Sequence, residues 1–273
     1  MPADWRLPPG VSRSLWEFAA DAKLARDEAD HLAHSPLLEF DRRVVNQWFD
    51  QPGDLIDLGC GTGRSLVDFS QRSFNCTGVD LSQPSLVVAG QLLAERGLHA
   101  TLIRGNLCEL DCLPPDSFDY ALLLFGTLGM VEGIAGRTAV LQQANRLLKP
   151  GGRLALHVHS LWPHLFLRGG RGWLVADLWK RLRNTADAGD THRDYRGIPQ
   201  IYHHVFSRRE IHRLLRLTGF KILREVPVGA ATTNNVPALN LEQTGWFKNL
   251  RATGWLIEAA RRPHDGSDVV DGG

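Results

Sequence analysis

A short apolar strand, Asp54-Leu55-Ile56-Asp57-Leu58, runs without a break into Gly59-Cys60-Gly61-Thr62-Gly63, and a helical pattern follows through Leu66, Val67 and Phe69. No other segment constrains the fold as strongly. Glycines at alternate positions allow a tight turn and let the backbone approach a ligand where a Cβ would collide. A second strand, Asn75-Cys76-Thr77-Gly78-Val79, is closed by Asp80 and completes a strand-helix-strand unit. Asp80 follows the loop by roughly twenty residues, where a carboxylate can accept the hydroxyls of a ribose. A dinucleotide fingerprint needs its third glycine one position later, at Arg64, where a long side chain would crowd a pyrophosphate. The spacing therefore counts against an NAD- or FAD-dependent enzyme.

The alternation of element types continues along the chain. Upstream, Leu15, Trp16, Phe18 and Ala19, then Phe40, Val44, Val45, Trp48 and Phe49, predict two helices packing on the sheet. Ser82 is suited to cap a helix from Leu86 to Arg96 that Gly97 stops, and Ala100 to Ile103 forms a third strand. Phe118 to Phe125 suits a strand buried on both faces, and Ala139 to Leu148 a helix stopped by Pro150-Gly151-Gly152. Arg153 to His159 is the fifth strand. Residues 161–200 interrupt the rhythm and predict an insertion or cap. A helix at Arg208 to Leu217 and strands at Phe220 to Val226 and Trp255 to Ala260 then restore it. Such alternation predicts a mostly parallel sheet covered on both faces, with ligands bound outside the carboxyl ends of its strands.

With 273 residues, 43% of them hydrophobic, the chain can fill one large α/β domain or two small ones. Its 31 basic and 30 acidic side chains leave a net charge of +1, so no global field draws it to nucleic acid or an anionic surface. The start, Met1 to Arg6, lacks the basic and apolar stretches of a secretory signal, and no window approaches the roughly eighteen apolar residues of a membrane span. The expected location is cytoplasmic. Cys60, Cys76, Cys108 and Cys112 read as reduced thiols. Cys108 and Cys112 are half of a metal site without a second pair, so no metal is expected.

Asp57 to Gly63, Val79-Asp80-Leu81, Gly105-Asn106-Leu107, Ser117-Phe118-Asp119-Tyr120 and Leu148-Lys149-Pro150-Gly151-Gly152-Arg153-Leu154 resemble, in order and spacing, the successive motifs of class I S-adenosylmethionine-dependent methyltransferases. Thr218-Gly219-Phe220 resembles that family's turn before strand six. The resemblance implies a three-layer Rossmann-like α/β sandwich: a mostly parallel seven-stranded sheet with an antiparallel last strand and a cap insertion after strand five. It divides the chain into N-terminal helices (1–52), a cofactor-binding core (53–160), the cap (161–206), the rest of the sheet (207–262) and a disordered tail (263–273).

The implied cofactor is S-adenosyl-L-methionine. By the same resemblance Gly59, Gly61 and Gly63, with Cys60 and Thr62 between them, line its methionine portion, and Asp57 helps hold its ammonium group. Asp80 takes the ribose and Leu81 packs on the adenine. Asn106 and Leu107 hold the edge and face of the adenine, with an asparagine where the family often has aspartate. Leu124 and Phe125 flank the cofactor and face the acceptor.

Methyl transfer from a sulfonium is an in-line displacement that needs no enzyme nucleophile, whereas a base helps when the acceptor is a hydroxyl or a protonated amine. His157, His159, His164, His203 and His204 all lie at or beyond the fifth strand, and His159, nearest its carboxyl end, ranks first as the base. Within 161–183, Trp162, Phe166, Trp173 and Trp179 mix with Arg168, Arg171, Lys180, Arg181 and Arg183. The expectation is an amphipathic lid with aromatics turned inward and arginines to water; the same mixture suits an apolar substrate, stacked bases or a membrane surface. Tyr202 to Phe206 resembles a region of methyltransferases acting on tRNA wobble uridines, and Leu124 to Gly129 resembles the substrate-side loop of small bacterial methyltransferases. The reading preferred on these grounds is methyl transfer to an oxygen or nitrogen of a small-molecule acceptor. An RNA methyltransferase is disfavoured by the overall charge, and a non-catalytic cofactor-binding protein by the intact glycines and Asp80.

Overall fold

The computed structural model describes residues 6–32, 35–229 and 252–263, so the tail expected beyond Arg262 lies, from residue 264 on, outside the described residues. Three helices open the chain: α1 (Arg13–Ala20), α2 (Ala22–Leu32) and α3 (Pro36–Trp48). Two were expected. Asp21 divides the first, because its carboxylate accepts from Lys23 N and Leu24 N, both at 2.9 Å, and so starts a new helix.

The core then alternates as anticipated through β1 (Asp54–Leu58), α4 (Arg64–Gln71), β2 (Asn75–Asp80), α5 (Gln83–Ala94), β3 (Thr101–Arg104) and β4 (Phe118–Leu123). Ser82 caps α5 by accepting from Ser85 N at 3.2 Å. A single turn, α6 (Thr127–Met130), precedes α7 (Gly133–Leu147), which starts at Gly133 rather than Ala139. Helix α7 stops one residue before β5 (Leu148–His159), so Pro150-Gly151-Gly152 lies in the strand and not in the helix stop.

Beyond β5 come a short 3₁₀ helix (Trp162–Phe166), α8 (Gly170–Leu182) and a hairpin, β6 (Asp190–Tyr195) and β7 (Ile198–His204). The last elements are α9 (Arg208–Leu217), opened by a capping box of Ser207 and Glu210, then β8 (Phe220–Val228) and β9 (Gly254–Arg261). The seven-stranded sheet runs β3-β2-β1-β4-β5-β9-β8. Strands β1 to β5 pair in parallel, and β9 pairs antiparallel with both β5 and β8. Alternate residues feed two cores: Ile56, Ala121, Leu123, Leu154 and Leu156 in one, Leu55, Leu122 and Ala155 in the other, as a sheet covered on both faces requires. Among the described residues no helix is long and apolar enough to cross a membrane.

The hairpin forms a sheet of its own, outside the main one. A small apolar cluster joins Ile198 and Ile201 of the hairpin to Leu24, Phe18 and Met130, and a buried polar network secures its other side. Arg137 of α7, 1% exposed, donates through Nη1 to Tyr202 Oη at 2.7 Å, and that hydroxyl donates to Asp190 Oδ1 at 2.7 Å. The ring nitrogens of His204 lie 2.7 Å from Asp190 Oδ1 and 2.7 Å from Glu210 Oε1, so the ring satisfies both carboxylates only by donating from both sides. Arg181 then joins Glu210 to Asp177 at 2.7 and 2.6 Å, and Asp177 accepts from Gly189 N. Burial alone would raise these carboxyls. Hydrogen bonds from His204 and Tyr202 outweigh it and hold Asp190 below its usual range, and those from His204 and Arg181, with their charges, hold Glu210 at about 2.

Tyr202→Phe strips this network of one buried donor and acceptor. Urea unfolding is expected to show a lower midpoint at unchanged slope, a loss of about 1–3 kcal/mol.

Candidate functional site

The carboxyl ends of β1, β2, β4 and β5 open into a cavity of about 1300 Å³, closed on its far side by α1, α3 and the hairpin. It begins where Gly59 N and Cys60 N both donate to Val79 O, at 2.8 and 3.1 Å, which peels the loop away from β1 along β2. Gly59 sits at φ +87°, and a Cβ there would stand 2.5 Å from Thr127 Cγ2. Gly61, at φ +51°, is different, since a Cβ would meet nothing within 4 Å. Its open side belongs to the cavity. Gly63, at φ +80°, is not among the lining residues: a Cβ would stand 2.8 Å from Ala89 Cβ, so this glycine lets α4 pack on α5. The other expected cofactor residues, Asp57, Gly59, Cys60, Gly61, Thr62, Asp80, Leu81, Asn106, Leu107, Leu124 and Phe125, all line the cavity, as does His159.

Two carboxyls share the floor. Asp80 accepts from Gly61 N through Oδ2 and from Ser82 N through Oδ1, both at 2.8 Å. Burial raises its pKa despite these bonds. Asp57 is 3% exposed, and burial, followed by the charge of Asp80, pushes its carboxyl up to about 7 against an opposing hydrogen bond with Ser65. The Cys60 thiol, buried beside the same carboxyls, is pushed far above its usual range and is not a nucleophile at neutral pH. Asn106 lies in the wall, but its amide is engaged: Oδ1 accepts from Cys108 N at 3.2 Å, and Nδ2 donates to Pro9 O at 3.0 Å. Its side chain ties the N-terminal segment to the end of β3, leaving only a second lone pair on Oδ1 for a ligand.

The opposite wall is built from strained and closely packed backbone. Phe125 leaves β4 at φ +54°, an outlier for a bulky residue, and Gly126 follows at φ +78°. A Cβ on Gly126 would stand 2.5 Å from His159 Cε1, and one on Gly129 would stand 2.8 Å from His203 Cε1. These glycines let the loop after β4 close over two histidines whose rings meet at 2.9 Å, His159 Nδ1 to His203 Nε2.

Burial, then the nearby charges of His157, His203 and Arg193, holds His159 well below its usual range, and burial with Arg193, His204 and His164 lowers His203 to about 3. Both rings are neutral at physiological pH. When His159 donates through Nδ1, its Nε2 is an acceptor.

The remaining histidines are occupied elsewhere. His157 contacts Asp41 at 2.6 Å in the core, His164 stacks on Trp173 at a centroid distance of 4.2 Å, and His204 belongs to the polar network. His203, ranked with the other histidines on sequence, is the second one in the cavity. It comes from β7 with Ile201, two positions earlier on the same face, while Arg193 and Tyr195 line the cavity from β6. Period-two spacing was the available signal, in a stretch otherwise too polar to read as a strand.

Residues 55–152 match the family described as a methyltransferase domain. A ubiquinone biosynthesis O-methyltransferase of Dechloromonas aromatica is 32% identical over 125 residues, 44% of this chain and 52% of that protein. A demethylmenaquinone methyltransferase of Listeria monocytogenes is 34% identical over 106 residues, 37% of this chain and 43% of that protein. The chain thus spans about half the length of these relatives. Among solved structures, a SAM-dependent methyltransferase from Methanosarcina mazei superposes with TM-score 0.62 at 20% identity, covering 81% of this chain and 97% of that one. The 1,6-didemethyltoxoflavin-N1-methyltransferase of Burkholderia thailandensis, solved with its substrate and S-adenosylhomocysteine, gives 0.61 at 17% identity over 91% and 88%. These structural likenesses speak to the fold.

The raised carboxyl of Asp57 has a consequence for the ligand-free protein. Between pH 3.8 and about 7 the unfolded chain loses this proton while the folded one keeps it, so stability falls as pH rises through that window. Asp57→Asn removes the effect. Thermal melts should show the variant matching the parent near pH 4 and exceeding it above pH 7, by up to about 4 kcal/mol.

Proposed function

We propose that the chain, whose residues 55–152 match a methyltransferase domain, is a class I S-adenosylmethionine-dependent methyltransferase that transfers a methyl group from S-adenosyl-L-methionine to an oxygen or nitrogen of a small-molecule acceptor. One observation carries the reading: a single cavity joins the Gly61 opening and the Asp57 and Asp80 carboxyls to the neutral His159.

The residues fit the cofactor. A buried carboxyl with a raised pKa is a site that a cation stabilises, so Asp57 suits an ammonium group. Asp80 has one lone pair of each oxygen committed to the backbone and keeps the others for ribose hydroxyls. Leu81 and Leu107 supply apolar walls for an adenine, and Gly61 leaves the methionine portion its space. When bound, S-adenosylmethionine supplies an electrophilic methyl group on a sulfonium.

The rest of the work is positioning. In this reading Leu124 and Phe125, which line the cavity, flank the cofactor and face the acceptor, and the left-handed backbone at Phe125 holds that edge. His159 Nε2 accepts the hydrogen of the acceptor hydroxyl or amine, and His203 holds the His159 tautomer that leaves Nε2 free. So weak a base suits an acceptor whose proton becomes acidic as its new bond to carbon forms. Apolar residues of α1 and α6, Leu15, Phe18 and Met130, with Ile201 of β7, line the acceptor end and favour a small, largely apolar acceptor. Relatives named for ubiquinone biosynthesis and for demethylmenaquinone support a small-molecule acceptor.

Calorimetric titration should show saturable binding of S-adenosylmethionine and S-adenosylhomocysteine, none of NADH, and a marked loss of both affinities in Asp80→Ala. Affinity should weaken as pH drops below about 7, where Asp57 must release a proton to pair with the ammonium group. Once an acceptor is found with labelled methyl donor, His159→Gln should lower kcat by about 10²- to 10⁴-fold with cofactor affinity unchanged. No binding by folded protein overturns the reading.

A further inference from the structure

Helix α8 is built inside out. Val175, Leu178, Trp179 and Leu182 recur at three- and four-residue spacing on one stripe, and each is more than half exposed. Phe166 and Leu167, also more than half exposed, precede the helix. Of the ten large hydrophobic side chains exposed among the described residues, six are these. The opposite side of α8 is the polar one: Asp177 is 4% exposed, Arg181 is held between Asp177 and Glu210, and both join the network that secures the hairpin. The amphipathic-lid expectation holds for Trp162 and Trp173, which pack on the core and on His164, and for the exposed Arg168, Arg171 and Arg183, but Phe166 and Trp179 face outward and Arg181 faces the protein.

Cations rim this stripe. Arg171 lies one turn before Val175 on the same line, Arg183 sits over the Trp179 ring at 5.9 Å, and Arg168 follows Leu167 directly. Among the described residues none of these three arginines has a carboxylate partner. Lys180, which does, is turned aside to Asp187 at 2.6 Å. An outward tryptophan and aliphatic stripe bordered by unpaired arginines matches the boundary between acyl chains and anionic headgroups. A twofold contact with a second copy would instead bring these arginines toward their own equivalents.

We infer that the outer face of α8, with residues 166–168, docks on the surface of a bilayer containing anionic phospholipid, without spanning it. The inference does not depend on the methyl-transfer reading. The same helix is tied to the hairpin that walls the acceptor end of the cavity, so docking places that wall beside the membrane.

The test is co-sedimentation of the full chain with vesicles of phosphatidylcholine alone and of equal parts phosphatidylcholine and phosphatidylglycerol. Binding to the mixed vesicles, reversed by salt and much weaker on phosphatidylcholine alone, is expected. Leu178→Glu with Trp179→Glu should cut that binding by roughly tenfold or more. Arg168→Gln, Arg171→Gln and Arg183→Gln together should abolish the preference for phosphatidylglycerol. Circular dichroism and melting temperature, unchanged in both variants, show that the fold is kept. Failure of the parent protein to bind the mixed vesicles, or binding that neither variant alters, overturns the inference. So does a solution dimer that the Leu178→Glu, Trp179→Glu variant dissociates, which would make the stripe an interface between copies.

Discussion

Asp80, through its carboxylate and its backbone oxygen, organises three strand ends and two helix starts at once. It takes the N–H of Gly61 on one oxygen and that of Ser82 on the other, so the loop after β1 and the turn into α5 are held by one side chain at the tip of β2. Gly105 N reaches the backbone oxygen of the same residue at 3.0 Å, which brings in β3. Buried loop amides need such partners, and no other side chain here supplies them. The arrangement has an electrostatic cost, since a second carboxyl, Asp57, lies buried beside Asp80 and is driven toward protonation. A site carrying that cost in the ligand-free protein is suited to a cation, and the stability lost at Asp57 becomes affinity for the ligand that restores it.

The acceptor side depends on a different device. Its wall is fastened by ionic groups, Arg137, Asp190, His204, Glu210, Arg181 and Asp177, each facing a partner of opposite charge or a hydroxyl. Broken by one member, such a network leaves buried charge uncompensated, so the hairpin and α8 move or hold as a unit. Because those polar contacts occupy the inner side of the second half of α8, Val175, Leu178, Trp179 and Leu182 face outward. Anchorage and the exposed stripe are therefore two faces of one packing decision. The hairpin also delivers His203 to His159, so the network that fastens this wall also fixes the contact between the two rings.

Local chemistry made much of the fold readable in advance. Strands β1 and β2, the Ser82 cap and helix α9 appeared where the residues placed them, because short strand runs, an N-cap serine and helical spacing are read from neighbours only. Asp21 split a helix because an aspartate that serves equally on a helix surface found two free amides ahead of it. Hairpin β6-β7 was missed because its strands are polar and its buried partner Arg137 lies far away in the sequence. Gly63 resembles its neighbours Gly59 and Gly61, yet only the position of Ala89 shows that it serves helix packing and not the cavity.

By itself the sequence determined the order of strands and helices, the glycine loop and the two aspartates beneath it, since each rests on residue type and short spacing. Tertiary structure alone decided that burial and the charge of Asp80 raise the carboxyl of Asp57, that His159 and not His157 faces the cavity, that Asn106 is spent on the N-terminal segment, and that α8 turns its apolar stripe to solvent. Those outcomes depend on burial and on partners far away in the chain. Burial changes the energy of a charge more than any neighbour in sequence can, and only the packed chain says which side chains lose their water.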